Sequence, residues 1–285
     1  MKKLVQVLYV GERALYDFHD AIIIDSTFAD GESPLKESSN IQLLNCIFKW
    51  KYPLWYCDNI KVEGSVLLDT ARSGIWYTKN IEMTDCQIEA PKTFRRASNI
   101  KLTSCTLPNA EETLWTCNDI ILKDVNAKGN YFGMNSKNIK IENFRLDGNY
   151  AFDGASNIEI KNARMLSKDS FWNCENVVVY DSIIVGEYLG WNSKNLTFIN
   201  CTIDSLQGMC YMENIKMINC KLLNTNLAFE YSTVEASITS KIDSVKNPIS
   251  GYIKAKQIGE IILDEKLIDP KKTTIITDEE KENEI

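Results

Sequence analysis

The chain has 285 residues, of which 44% are hydrophobic, 25% charged and 10% aromatic, a globular composition that excludes a disordered or collagen-like polymer. Its formal net charge of −7, with no basic run, argues against nucleic acid, anionic polysaccharides and acidic membrane surfaces as partners. No segment reaches the roughly 20 apolar residues needed to span a bilayer, so no membrane association is expected.

The opening residues, MKKLVQVLYVGERALYDF, hold a short apolar stretch that Gly11, Glu12 and Arg13 interrupt too early for a signal-peptide core. A cytoplasmic location is expected, and residues 1–19 read as an N-terminal cap. A repeat then takes over. Small polar anchors recur at Asp20, Asn40, Asn59, Asn80, Asn99, Asp119, Asn138, Asn157, Asn176, Asn195, Asn214 and Thr233, at intervals of 19 to 21 residues. One and three positions after an anchor stand apolar residues, as in Ile81 with Met83 and Leu196 with Phe198, the period of a strand with one buried face. Five positions on come Asn45, Gly64, Asp85, Asn143, Asn200 and their equivalents, residue types that tolerate the left-handed backbone of a sharp corner. A second apolar pair follows, such as Cys86 with Ile88.

Nineteen residues leave no room for a helix between anchors, so successive strands must stack in parallel. The predicted fold is all-β, a single-stranded right-handed parallel β-helix of about twelve coils over residues 20–236. Hexapeptide coils of the left-handed kind are absent. Residues 237–276 read as irregular closing coils, and 277–285 as a charged, disordered tail.

The repeat also accounts for the nine cysteines. Cys46, Cys86, Cys105, Cys201 and Cys220 stand six after an anchor, and Cys57, Cys117 and Cys174 two before one, positions suited to small inward hydrophobes. A reduced packing column is expected rather than disulfides. With no CxxC and His19 the one histidine, neither a metal site nor a histidine-based triad is indicated, and no cofactor is expected. Positions two and four after the anchor, Lys61, Glu63, Lys101, Lys123, Lys140, Glu142, Glu159 and Lys161, read as an ordinary solvated face.

One column departs from this plainness. Four positions before the anchor stand Trp55, Trp76, Trp115, Trp172 and Trp191, interrupted by Arg95 and Asp153. The charges are unfavourable to bury unpaired, so the column is expected to face outward. Flanking positions add Tyr131, Tyr150 and Tyr188 on one side and Arg96, Asn173, Asn192 and Tyr211 on the other. Aromatic rings suit the apolar faces of sugars, and amides, carboxylates and guanidinium groups suit their hydroxyls, so a carbohydrate or small polar ligand is the expected partner. Asp153, Asp169 and Glu187 fall on three consecutive coils, with Glu230 further along, and adjacent coils lie roughly 5 Å apart, the scale of paired glycosidase carboxylates. These four are the catalytic candidates. Lys168, Arg95 and Arg96 are the available cations for a lyase-type proton abstraction. The alternative is a non-enzymatic binding or interaction scaffold in which the tryptophans form a purely structural ladder. The oligomeric state is not set by any of these features.

The segments FADGESPLKES (28–38), KYPLWY (51–56), SGIWYTKN (73–80), APKTFRRA (90–97), KDSFWNCEN (168–176), GEYLGWNSKN (186–195) and LAFEYS (227–232) resemble an uncharacterised bacterial family carrying a domain-of-unknown-function label. That family sits with the pectate-lyase-like right-handed parallel β-helices. The resemblance implies the fold and supplies no catalytic residues. The polysaccharide lyases and hydrolases of the wider superfamily bear on function by fold analogy alone.

Overall fold

A computed structural model describes residues 1–278; most of the stretch expected to be a charged tail, residues 279–285, lies outside the described residues. The described chain contains no α-helix and divides into two compact units, Met1–Asp147 and Gly148 onward. Each is a parallel β-solenoid. In the first, Ala21, Ile41, Ile60, Ile81, Ile100, Ile120 and Ile139 occupy one in-register column of paired strands. In the second, Ile158, Val177, Leu196, Ile215 and Val234 do the same. All of these side chains are buried, as the period of two requires.

The turns number about fifteen rather than twelve, because both ends of the chain continue the winding. Residues 1–19, expected as a cap, form a turn of their own, with Lys2–Val5 paired to Ala21–Ile24 and Leu8–Tyr9 to Thr27–Phe28. At the other end Thr233–Lys246 pairs with Ser250–Ile262, which pairs with Thr273–Thr277. These last turns lack Asn anchors, so they stood outside the count of twelve and were expected only as irregular closing coils. They also carry register shifts, between Met217 and Cys220 and between Ile238 and Lys241.

Four left-handed corners recur in the regular coils, and in later ones the position five before the anchor joins them, as at Leu114, Phe152, Phe171 and Met209. The anchors themselves are in this conformation (Asn59 φ 55°, Asn176 φ 59°), as are the positions five after them (Asn45 φ 53°, Asn200 φ 54°). So are the positions three and seven before them, for example Tyr56 and Tyr52 in the first unit and Asn192 and Tyr188 in the second. Non-glycine residues enter this region at a disadvantage that Asn and Asp reduce. Two kinds of bond hold the corners. Corner N–H groups donate to the next coil's carbonyls, as Asn45 N does to Glu63 O at 2.9 Å and Tyr188 N to Leu206 O at 3.0 Å. At the anchors, side-chain amides also form ladders: Asn59 Nδ2 donates to Asn40 Oδ1 at 2.8 Å, Asn176 to Asn157 at 3.1 Å and Asn195 to Asn176 at 3.0 Å.

The interior is filled column by column. Phe28 and Phe48 stack at 4.7 Å and 1°, and Phe152 and Phe171 at 5.6 Å and 10°. All nine cysteines are buried and free. Burial pushes the Cys57, Cys117 and Cys210 thiols up to about 12, which leaves them protonated at neutral pH. Serine serves the same inward columns: Ser136 Oγ accepts from Cys117 N at 2.8 Å and donates to Leu114 O at 2.6 Å, tying two coils together.

Because Asn176 combines a left-handed backbone with both ends of a ladder bond, alanine and glycine there should rank in an unusual order. Asn176→Ala is expected to lower unfolding free energy by about 2–4 kcal/mol through lost bonds plus corner strain. Asn176→Gly should lose less, since glycine enters the corner freely. Urea unfolding of the two variants checks the ranking; Ala at or above Gly in stability would contradict the corner account.

Candidate functional site

The tryptophan column is half-buried, while its neighbour one position earlier (Leu54, Ile75, Phe94, Leu114 in the first unit; Phe152, Phe171, Met209 in the second) is buried, as alternation predicts. The rings do not lie flat on the surface. They stack on one another along the coil axis: Trp55 on Trp76 at 5.2 Å and 8°, Trp172 on Trp191 at 5.9 Å and 12°. Their indole N–H groups are taken by backbone carbonyls of the next coil, Trp76 by Lys92 O at 2.8 Å, Trp172 by Tyr188 O at 2.6 Å and Trp191 by Gln207 O at 2.7 Å. Within each stacked pair the facing sides of the indoles are covered.

In the first unit the column is closed by charge. Arg95 lies between Trp76 and Trp115, its guanidinium carbon 4.9 and 5.0 Å from the two ring centroids. Its Nη2 donates to Glu112 Oε2 at 2.8 Å, and Lys92 pairs with Glu112 at 3.1 Å. Burial alone would raise the Glu112 carboxyl, but the bonds from Lys92 and Arg95 hold it below the usual carboxylate range. Tyr131 packs against Trp115 at 6.2 Å. Arg96 sits 6.0 Å over Tyr77, which stacks on Tyr56 at 4.8 Å. Arg95, Trp115 and Tyr131 thus share one stack and Arg96 caps a separate tyrosine pair; Arg95 Nε is buried there without a hydrogen-bond partner among the described residues, and the partners Glu112 and Lys92 were visible in the sequence only as further members of neighbouring columns.

The second unit gathers the remaining candidates. Lys168, Asp169, Glu187 and Tyr188 stand on corners of successive coils beside Trp172 and Trp191, with Tyr150 and Asp153 one coil before. Tyr150 meets Trp172 edge-on at 6.3 Å, and Tyr188 meets Trp191 edge-on at 5.2 Å. Three of the four candidate carboxylates are engaged. Asp153 Oδ1 accepts from Asn173 Nδ2 at 2.8 Å, and Asn192 donates to Asn173 in turn at 2.8 Å. Glu187 pairs with Lys168 at 3.2 Å, and Glu230 with Lys246 at 2.8 Å. Tyr211 is exposed; burial of its hydroxyl and the nearby Glu230 raise its ionisation above the usual tyrosine range.

Asp169 is different. It is only 9% exposed, yet its sole cationic neighbour is Lys168, which already holds Glu187. Burial, then Glu187 and more weakly Asp153, push its carboxyl above the usual range, against the opposing pull of Lys168 and a hydrogen bond from Tyr150. Among the described residues no cluster of three or more His, Cys, Asp or Glu could hold a metal ion.

A model of the family described as a protein of unknown function, DUF3737, matches residues 2–276. No curated protein matches the sequence. Among solved structures, the chain is similar to PfbA, a surface adhesin of Streptococcus pneumoniae, at 12% identity and TM-score 0.38 over 82% of this chain and 72% of that one. It is also similar to the A-module of the Azotobacter vinelandii mannuronan C-5 epimerase AlgE4, at 8% identity and TM-score 0.33 over 96% and 88%. A third, the plasmid-mediated fluoroquinolone resistance protein QnrB1, gives 13% identity and TM-score 0.29 over 78% and 92%.

Two outcomes follow from this geometry. Trp191→Ala removes a stacked, hydrogen-bonded ring and should destabilise by about 2–4 kcal/mol in urea unfolding, with Trp191→Phe recovering part of the loss. For Asp169 the sign is opposite. Unfolding returns its carboxyl to the ordinary range, so between that range and its raised value the folded state holds the proton more tightly. Stability then falls as pH rises through this window. Asp169→Asn should melt above the wild-type chain at neutral pH, and the two melting curves should converge in acid.

Proposed function

The chain belongs to the DUF3737 family of proteins of unknown function, and we propose that it binds a carbohydrate or similar hydroxyl-rich ligand on the corner face of its second unit. The observation that carries this reading is Asp169, a nearly buried carboxyl raised by its surroundings and hydrogen-bonded by Tyr150. Around it stand donors and acceptors of the kind that sort hydroxyls: the exposed Asn173 and Asn192, the half-buried Tyr188, and the Lys168–Glu187 pair. Since the facing sides of the indoles are covered by stacking, recognition runs through these polar groups, with the rings as apolar flanks. Asp169 and the neighbouring Glu187 are the carboxyl pair placed to exchange a proton with a ligand oxygen. In the first unit the bonds of Arg95 and the tryptophans support a structural ladder instead.

Calorimetry of the full chain against neutral oligosaccharides, with product analysis of the same mixtures, tests the proposal. Saturable binding is expected, weakened at least tenfold by a combined Asn173→Ala and Asn192→Ala change. Turnover lost in Asp169→Asn with binding retained would assign the proton role; binding without turnover in the wild-type chain would make the face a recognition surface alone. Binding that ignores all three substitutions would sink the assignment of this face.

A further inference from the structure

A second recess lies in the same unit, on a different side of the coil from Asp169. It has a volume of about 430 Å³ and covers the starts of strands Lys194–Ile199, Glu213–Leu223, Thr233–Lys246 and Ser250–Ile262. Its origin is the end of the anchor ladder. Asn176, Asn195 and Asn214 each donate Nδ2–H to the Oδ1 one coil earlier, so the Oδ1 atoms of Asn157, Asn176 and Asn195 each accept one such bond. Above Asn214 the next position is Thr233, which has no amide to donate, and the one after is Ser250. Thr233 Oγ1 instead takes the backbone N–H of Asn214 at 2.6 Å. Among the described residues, Asn214 Oδ1 is therefore left as an acceptor with no donor.

The shortening from Asn to Thr to Ser opens the space above it. Beside Ser250, Gly251 holds φ 124°, and a Cβ there would stand 1.9 Å from Val234 O, so the floor admits no side chain. Two residues along the strand from Asn214, Lys216 faces outward and pairs loosely at 3.7 Å with Glu235 of the next coil, both being more than half exposed. The recess thus offers an amide acceptor and hydroxyls at one end, and one cation with one anion at the other.

We propose that this recess binds a small zwitterion carrying a primary carboxamide, with L-glutamine as the matching ligand. Its NH₂ donates to Asn214 Oδ1, as the missing amide of the next coil would, and its carboxamide oxygen accepts from the hydroxyl of Ser250. Its α-carboxylate meets Lys216 and its α-ammonium meets Glu235.

NMR titration of the full chain with L-glutamine should give saturable shifts with a dissociation constant in the millimolar range. L-Glutamate, whose side-chain carboxylate offers no donor and sets a negative charge against the Asn214 oxygen, should bind at least tenfold more weakly. Asn214→Gly keeps the left-handed corner while deleting the acceptor, and should weaken glutamine at least tenfold. Should that variant unfold, Lys216→Met, a change at an exposed side chain, carries the same expectation. Absence of saturable shifts with glutamine, equal binding of glutamate, or glutamine binding indifferent to the folded variants would each overturn the proposal.

Discussion

The left-handed corner is the constraint on which everything else in this protein rests. A coil of nineteen residues closes only by turning sharply several times, and each turn places an L-residue where its Cβ is crowded against the backbone. Asn and Asp relieve the strain at the anchors, and the amide ladder adds a bond that forms when the next coil places an Asn amide over an Asn or Asp oxygen. Corner and register are in this way one specification: an in-register stack satisfies the amides, and satisfied amides fix the stack.

The same constraint sets the electrostatics of the second unit's corner face. Corner residues project from the coil edge in columns, so like charges on adjacent coils cannot move apart. Asp169 is held beside Glu187 with one lysine between two carboxylates, and its N–H is tied to Glu187 O at 2.9 Å. Burial at the corner is the main cause of its raised carboxyl, and Glu187 on the next coil adds to it. Where the sequence supplies a cation within the column, as with Arg95 above Trp76, the opposite result appears and Glu112 is drawn below its ordinary range.

Much of this was legible from spacing. The anchors, the buried pairs after them, the reduced cysteine columns and the alternation between Leu54 and Trp55 all follow from counting, because a strand's period converts position directly into side. Counting could not show that the anchor is itself a corner, since Asn is equally at home opening a strand or turning one. Nor could it give the rotation of the rings. Trp172 and Trp191 stack with their N–H groups on the carbonyls of Tyr188 and Gln207, a choice of rotamer that no spacing encodes. The end turns were legible only as a cap and as irregular closing coils, because Leu4 and Ile253 continue the winding without an Asn before them. Lys246, which engages Glu230, stands in one of those turns.

The coil between Asn59 and Asn80 is 21 residues long, and the surplus is lodged in the short 3-10 turn Asp69–Ala71, well away from the ladder positions. In the regular coils length variation is therefore lodged on this one stretch, whereas the last turns take it up as register shifts within their strands. Such a molecule changes most easily by gaining or losing whole windings. A solenoid of this kind is modular in the engineering sense: its length is adjustable in steps of one turn, with the outward columns available for rewriting at each step.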